Sequence, residues 1–467
     1  MINFKTGPAV IITAAFVGPG SLTVCALAGI DFGFDLLWAV LLSCMITIFF
    51  QNIVAGLSYQ NNMGIIELLK KEVSNKRLKF FFIFYILMTI FFGNAAYEAG
   101  NISGSLLGLK KISEIISFET TRLLSPYILL IIGITLILII LKENIKFLKI
   151  ILGIAVFLMS LSFLIAAIIT KPDLTDLLSG FFIPKWRPEN WSTIVAVLGT
   201  TIVPYNLFLH AWLVKNERCK KTSFQSIKKD TIIAISFGGI ISVSIIIAAA
   251  GSNIDQLVSI DDLGYSLNNL YGKKSQLFIS LGLFSAGLSS ALTAPLAAGY
   301  IVKESLGNYS DKMKLEKIAP ILIIITGLIF TFFDSNPINL IRLAQITNGL
   351  MLPGITLFIL YLCISSQNNK RRVWNKCIGW KFSKNDDFTE SNFPRTQGVR
   401  FWRGLFSKAS TWTSDSTSFS CMLKRKSAAD SLLLLIFVLI GLISFFPSAP
   451  YHQGWQLGHR PRRSRRQ

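Results

Sequence analysis

Long apolar runs alternate with short polar loops over the first three quarters of the chain. The runs fall at about 7–28, 36–55, 79–107, 126–141, 147–170, 192–214, 231–251, 276–302, 317–333 and 338–364, with an eleventh, shorter one at 431–446. A bilayer crossing needs roughly 17–25 residues of helix. Stretches such as Ile150–Thr170 and Thr231–Asn253 carry no charge at all. The pattern predicts an all-α polytopic membrane protein of ten spans.

Two of the runs are interrupted. The first reads Ala14-Ala15-Phe16-Val17-Gly18-Pro19-Gly20-Ser21-Leu22-Thr23, and the sixth reads Leu198-Gly199-Thr200-Thr201-Ile202-Val203-Pro204-Tyr205-Asn206-Leu207-Phe208-Leu209-His210. Gly and Pro break the hydrogen-bond ladder of a helix. In lipid, such backbone survives only where protein buries it or it lines a cavity. One broken span opens each group of five, and an odd number of spans per half forces the halves into opposite orientations. Paired interruptions of this kind point to a transporter's binding site. The expected architecture is a LeuT-type five-plus-five inverted repeat with broken first and sixth helices, and 1–365 is its transmembrane core.

Loop charge sets the orientation. Even-numbered loops are basic: Lys70, Lys71, Lys76 and Arg77 in the second, Lys142, Lys146 and Lys149 in the fourth, Lys215, Arg218, Lys220, Lys221, Lys228 and Lys229 in the sixth, and Lys303, Lys312, Lys314 and Lys317 in the eighth. Odd loops carry acids, with Asp31 and Asp35 in the first and Asp255, Asp261 and Asp262 in the seventh. By the positive-inside rule the N-terminus is cytoplasmic. The first run lacks the small-residue cleavage site of a signal peptide. A multi-pass protein of a bacterial inner (plasma) membrane is expected.

Composition agrees with this. The 467 residues are 52% hydrophobic and 15% charged, with mean hydropathy +0.55. The net charge of +21 does not indicate nucleic-acid binding. Residues 366–467 hold 18 Lys/Arg against 5 Asp/Glu, or +13 of it, and much of the rest sits in the loops. Residues 366–430 read as a basic polar segment of disordered composition. Residues 431–467 are an atypical short apolar segment with a basic tail, to which no function is given. The six Cys are scattered, which excludes a disulfide framework or a clustered zinc site.

The breaks supply the candidate binding groups. Unwound backbone frees carbonyls and amides, and half-helix ends add partial charge. Gly18, Pro19 and Gly20 interrupt the first span, with hydroxyls at Ser21 and Thr23; Pro204 interrupts the sixth beside Thr200, Thr201 and Asn206. A Pro-kinked helix without a ligand is the simpler alternative, but the matched positions in two halves argue for a site. Glu98 lies in the third span, where an ionisable group is a functional candidate by default. His210, a turn past Asn206, could titrate near neutrality. Gln345 and Asn348 in the tenth span could face the same cavity or bridge helices. Arg342 and Lys303 are expected to snorkel to the interface. No Ser–His, Asp–Asp or His-rich pair at helical spacing suggests catalysis, so an enzyme is not expected, and no cofactor is called for.

With these residues in view, the chain resembles the NRAMP family of divalent metal transporters over about residues 5–364. Gly199–His210 is similar to that family's G-A-T-V-M-P-H-N-L-Y-L-H segment. GPGSLTVCALAGIDFGFDLLWAVLL is similar to its D-P-G-N-x-x-T-D-x-x-A-G-A-x-F-G-Y-x-L-L-W segment, without a gap, and Gln345 with Leu352-Pro353 matches its Q…LP. The resemblance places the metal ligands at Gly18, Ser21, Val203 and Gln345, where the family has Asp, Asn, Met and Gln. Thr200 and Tyr205 stand for its Ala and His, and Ala95 for an Asp of its proton path. Glu98 and His210 are retained as proton-path candidates. The pattern is that of a divergent NRAMP-related branch.

The resemblance implies a secondary transporter of a divalent cation, with Gly18, Ser21, Thr200, Thr201, Val203 and Gln345 at the substrate and proton coupling through Glu98 and His210. A site without carboxylate or thioether suits a hydrated hard cation such as Mg²⁺ better than Mn²⁺ or Fe²⁺. The alternative is a small organic solute, such as an amino acid, held by the half-helix ends.

Overall fold

The computed structural model describes residues 18–116, 121–142, 146–219, 222–252, 254, 257, 259–307, 314–333 and 336–365. The first part of span 1, the eleventh apolar run and the whole of 366–467 lie outside them. Among the described residues the regular elements are all helical. In chain order they are α1 (Pro19–Phe32), α2 (Leu37–Asn61), α3 (Ile65–Glu72), α4 (Lys76–Ile115), α5 (Thr121–Lys142), α6 (Lys146–Ile169), α7 (Leu174–Phe182), α8 (Trp191–Thr201), α9 (Pro204–Cys219), α10 (Phe224–Ala250), α11 (Ile260–Tyr265), α12 (Asn268–Tyr271), α13 (Ser275–Leu306), α14 (Leu315–Phe333) and α15 (Pro337–Ser365).

Among the described residues helices lie at each of the ten apolar runs of 7–364, the first from Pro19 onward: α1, α2, α4, α5 and α6 belong to the first half, and α8–α9, α10, α13, α14 and α15 to the second. Eight are long and apolar enough to cross a membrane, and the apolar stretches of spans 1 and 4, Pro19–Phe32 and Pro126–Leu141, are shorter. The helix carrying span 3 begins ahead of the apolar run, where the Asn75 side chain caps Arg77 N at 3.0 Å and Leu78 N at 3.2 Å, and continues past it to Ile115. The outward faces of α5 and α6 remain apolar, with Leu130, Ile131, Ile134, Ile154, Phe157 and Ile168 exposed. Lipid, not water, is the solvent those side chains fit.

The packing repeats across the two halves. Span 1 packs on span 7 as span 6 packs on span 2, and span 3 packs on span 10 as span 8 packs on span 5. Spans 1 and 6 also meet each other. That exchange is the signature of a five-plus-five inverted repeat of LeuT type. Loops 2, 6 and 8 gather at one end: Lys215 Nζ pairs with Glu67 at 2.7 Å, and Lys70 Nζ donates to Glu304 O at 2.6 Å. Loops 1 and 5 gather at another, where Asp35 pairs with Lys185 at 2.6 Å and Arg187 at 3.7 Å. Even loops 2, 6 and 8 thus meet one another, as odd loops 1 and 5 do. The amphipathic α3, with Ile65, Ile66, Leu68 and Leu69 buried and Glu67 and Lys70 polar, is an extra element between spans 2 and 3.

The two span-end cations expected to snorkel have partners: Arg342 Nη2 donates to Ser192 Oγ at 2.8 Å, and Lys303, its side chain half exposed, pairs with Glu316 at 2.5 Å.

Candidate functional site

The second break is narrower than the sequence suggests, and of the first the described residues show the side from Gly18 onward. Pro19 and Gly20 sit in the first turn of α1, and Gly18 is extended (φ −126°, ψ −170°). Pro is preorganised for a first helical position, where its missing N–H costs nothing, so it opens the helix. Ser21 Oγ accepts from Gly18 N at 3.0 Å and donates to Gly18 O at 3.0 Å, closing the helix start on itself. In span 6 the gap is Ile202–Val203. Thr200 and Thr201 remain in the last turn of α8, and both hydroxyls donate back to Val197 O, at 2.9 and 3.2 Å. Thr201 Oγ1 also accepts from Ser43 Oγ of α2 at 3.2 Å. Pro204 opens α9, and Val203 O accepts from Asn206 N at 3.0 Å.

Gln345 joins the two breaks. A β-carbon built on Gly20 would lie 2.5 Å from Gln345 Cδ, so the carboxamide is laid across the first turn of α1. One built on Gly199 would lie 3.0 Å from the Gln345 carbonyl carbon and 2.7 Å from Gly349 N. Only glycine at 199 lets α8 and α15 approach backbone to backbone. Gln345 Oε1 is buried without a hydrogen-bond partner. The same holds for Thr23 Oγ1, Asn348 Nδ2 and both carboxamide atoms of Asn206. Unpaired buried polar atoms are rare in folded chains and call for an explanation such as an ion or water at the site.

Position 18 is crowded by hydroxyls. A β-carbon there would meet Ser290 Oγ of α13 at 2.9 Å and Tyr97 Oη of α4 at 3.7 Å. The Tyr97 ring meets that of Tyr205, in the first turn of α9, edge-on at 5.6 Å.

Glu98 and His210 are both fully buried but face different neighbours. A β-carbon on Gly327 of α14 would lie 2.8 Å from Glu98 Cγ, and neither carboxyl oxygen has a hydrogen-bond partner. His210 Nδ1 meets Gln51 Oε1 of α2 at 2.5 Å, and its Nε2 is unpartnered. A carboxamide oxygen only accepts, so the His210 proton sits on Nδ1. Gln51, Tyr97 and Ser290 were not singled out from the sequence. Gln51 had a signal, a polar side chain in the apolar Phe49-Phe50-Gln51-Asn52-Ile53-Val54 run. Ser290 had none, being one of several small polar residues in span 8.

Cargo donors at the breaks are therefore hydroxyls, carboxamides and backbone. Among the described residues no three His, Cys, Asp or Glu side chains gather where a metal could be held. Cys25, Cys44 and Cys363 are buried free thiols.

This architecture has relatives. Residues 9–383 match the model of the Nramp family, "natural resistance-associated macrophage protein-like". The chain belongs to that family. Among curated relatives, the Natural resistance-associated macrophage protein 2 homolog of Dictyostelium discoideum is 26% identical over 363 residues, 74% of this chain and 56% of that protein. The chain thus spans little more than half the length of that relative. The divalent metal cation transporter MntH of Staphylococcus saprophyticus is 26% identical over 408 residues, 80% of this chain and 87% of its own length. Among solved structures, the manganese transporter of Eremococcus coleocola superposes with a TM-score of 0.60 at 18% identity, covering 94% of this chain and 91% of the other, which bears on the fold.

Proposed function

We propose that this Nramp-family chain is a secondary transporter that moves a divalent cation across the membrane as a hydrated hard ion, Mg²⁺ foremost, and that it is not an enzyme. The family and its relatives, named as divalent metal cation transporters, support the general reading. One observation carries the finer one. Both half-helices present neutral groups to the gap, with Gly18, Ser21, Thr200, Thr201 and Val203 supplying no carboxylate, imidazole or sulfur.

Stripping Mg²⁺ of water is costly, and the ion usually keeps several waters when protein binds it. A neutral site offers no charge to offset full dehydration of any divalent ion. Without thioether it also offers nothing to a softer metal over a harder one. Oxygen acceptors such as Gln345 Oε1 and the backbone at the breaks suit the outward-pointing hydrogens of a hydration shell. No observation favours an organic solute.

Coupling through the proton-path candidates Glu98 and His210 is not part of this proposal. They lie against different helices, α14 and α2, and Ala95, where the family has a proton-path Asp, carries no proton. Cation entry at a site without an ionisable ligand displaces no proton, so transport is uncoupled. The even-loop face is cytoplasmic, with the N-terminus on that side, by the positive-inside rule. Residues 1–365 form the transport unit within a lipid bilayer.

Uptake into proteoliposomes of Mg²⁺, Mn²⁺ and Fe²⁺, with lumenal pH recorded together, tests this reading. Mg²⁺ flux without acidification is expected. Folded protein that carries none of the three, or only Mn²⁺ and Fe²⁺, refutes it.

A further inference from the structure

We infer that Ser290 and Tyr97 are cation-site residues that take up the place left empty at Gly18 and hold the water shell of the bound ion. This rests on the hydrated-cation reading above and names where that shell is recognised.

Gly18 is the extended residue at the mouth of α1, so its side-chain direction is where a ligand from the first break would project. Ser290 Oγ stands 2.9 Å and Tyr97 Oη 3.7 Å from the β-carbon position of residue 18. The two hydroxyls come from α13 and α4, helices that pack directly on each other. Both residues are buried, Ser290 completely. Tyr97 also touches the second break, through its ring contact with Tyr205. The pair therefore stands where the two half-helices converge.

Independent of that pair, unpartnered oxygens point to an occupant. Gln345 Oε1, the oxygen of the carboxamide whose nitrogen lies against Gly20, and Asn206 Oδ1, on the first turn of α9, are both buried and accept no hydrogen bond. Waters on a divalent cation present only donors to their surroundings, since their lone pairs face the metal. A hydroxyl oxygen or a carboxamide oxygen accepts from such water, and an acceptor of this kind can read a shell without stripping it. A carboxylate would instead compete to replace a water. The hydroxyl pair thus supplies polar recognition near position 18 without a charge that would pull the ion out of its shell.

The test uses purified full-length protein, with Mg²⁺ and cobalt(III) hexammine as probes. The hexammine has an octahedral donor shell that does not exchange, so it binds only a site that reads an intact shell. Mg²⁺ uptake, its inhibition by hexammine, and thermal stabilisation by each cation are measured for wild type, Ser290→Ala and Tyr97→Phe. Loss of one hydrogen bond to a charged shell is expected to raise both the KM for Mg²⁺ and the hexammine inhibition constant about tenfold. The rise in KM and in the inhibition constant is expected to exceed any fall in maximal rate, with cation-free melting temperature recorded beside it.

Wild type that transports Mg²⁺ while both variants keep KM and stabilisation unchanged overturns the site assignment alone. Wild type that is stabilised by the cations yet carries none, with stabilisation lost in both variants, overturns the transport reading and supports the assignment. Wild type that is neither stabilised nor active overturns both. Ser290→Cys, close in volume, covers the case in which truncation unfolds the protein. Its thiol is expected to tighten Cd²⁺ inhibition of Mg²⁺ uptake about tenfold, and unchanged Cd²⁺ sensitivity overturns the assignment.

Discussion

Gly199→Ala tests whether the join between the broken sixth span and the tenth is as tight as the structure has it. The new β-carbon would sit closest to the Gln345 carbonyl oxygen, with Gly349 N at 2.7 Å and the Gln345 carbonyl carbon at 3.0 Å. Heavy atoms in comfortable contact lie about 3.5 Å apart, so α8 and α15 must part by more than about 1 Å. Overpacking of this kind costs about 1–3 kcal/mol. The upper half of that range applies because the obstructing atoms are backbone and cannot rotate away. Alanine returns about 1 kcal/mol of helix propensity over glycine, leaving a net loss of about 1–2 kcal/mol.

Gly153→Ala in α6 is the matched control. A β-carbon there meets nothing within 4 Å, so that variant should gain about 0.5–1 kcal/mol. Thermal unfolding of the two purified variants is the assay, with Mg²⁺ uptake measured beside it. Gly199→Ala should melt several degrees below Gly153→Ala and transport more slowly, since parting α8 from α15 also draws Gln345 off Gly20. Equal melting temperatures and equal uptake would refute the packing argument.

Other perturbations separate binding from stability. Gly20→Ala pushes only on the flexible Gln345 side chain, whose Cδ would be 2.5 Å from the added carbon, so it should raise KM several-fold with little change in melting temperature. Gln51→Leu strands His210 Nδ1 in a buried site and should cost about 1–3 kcal/mol in unfolding experiments. Adding His210→Leu should recover part of that loss, because the stranded donor is then gone. Burial pushes the Glu67 carboxyl up, but the Lys215 hydrogen bond, the Gly64 amide and the charges of Lys215 and Lys70 outweigh it and hold the group below its ordinary 4.5. A depressed value means the stabilisation is full above the unfolded value and is lost as pH falls through the folded one. The melting-temperature gap between wild type and Glu67→Gln should therefore close in acid below about pH 4; a gap that widens there would contradict the pairing.

The spans were legible because lipid enforces a simple rule, about twenty apolar residues per crossing, and loop charge follows it. The breaks were legible to within a few residues from Pro19 and Pro204. That each Pro opens a helix was not, since Pro suits the first turn of a helix as well as a gap. The partners across the site were the least visible. His210 and Gln51 are 159 residues apart in sequence, and Ser290 and Tyr97 reach Gly18 from two other helices. Such approaches are set by how helices cross, through glycines such as Gly199, and a linear pattern of apolar residues does not carry that information. The hydroxyls of Ser21, Thr200 and Thr201 were expected at the cargo. They also bond to their own backbone, which leaves Gln345 and Asn206 with the unpartnered acceptors.

The most direct test is a high-resolution density map of the protein with Mg²⁺ bound. The account predicts an ion between Gly18–Ser21 and Thr200–Val203 carrying a near-complete octahedral shell of waters at about 2.0–2.1 Å, with protein oxygens contacting those waters. An ion held directly by several protein atoms, or one bound elsewhere in the chain with the breaks empty, would contradict it.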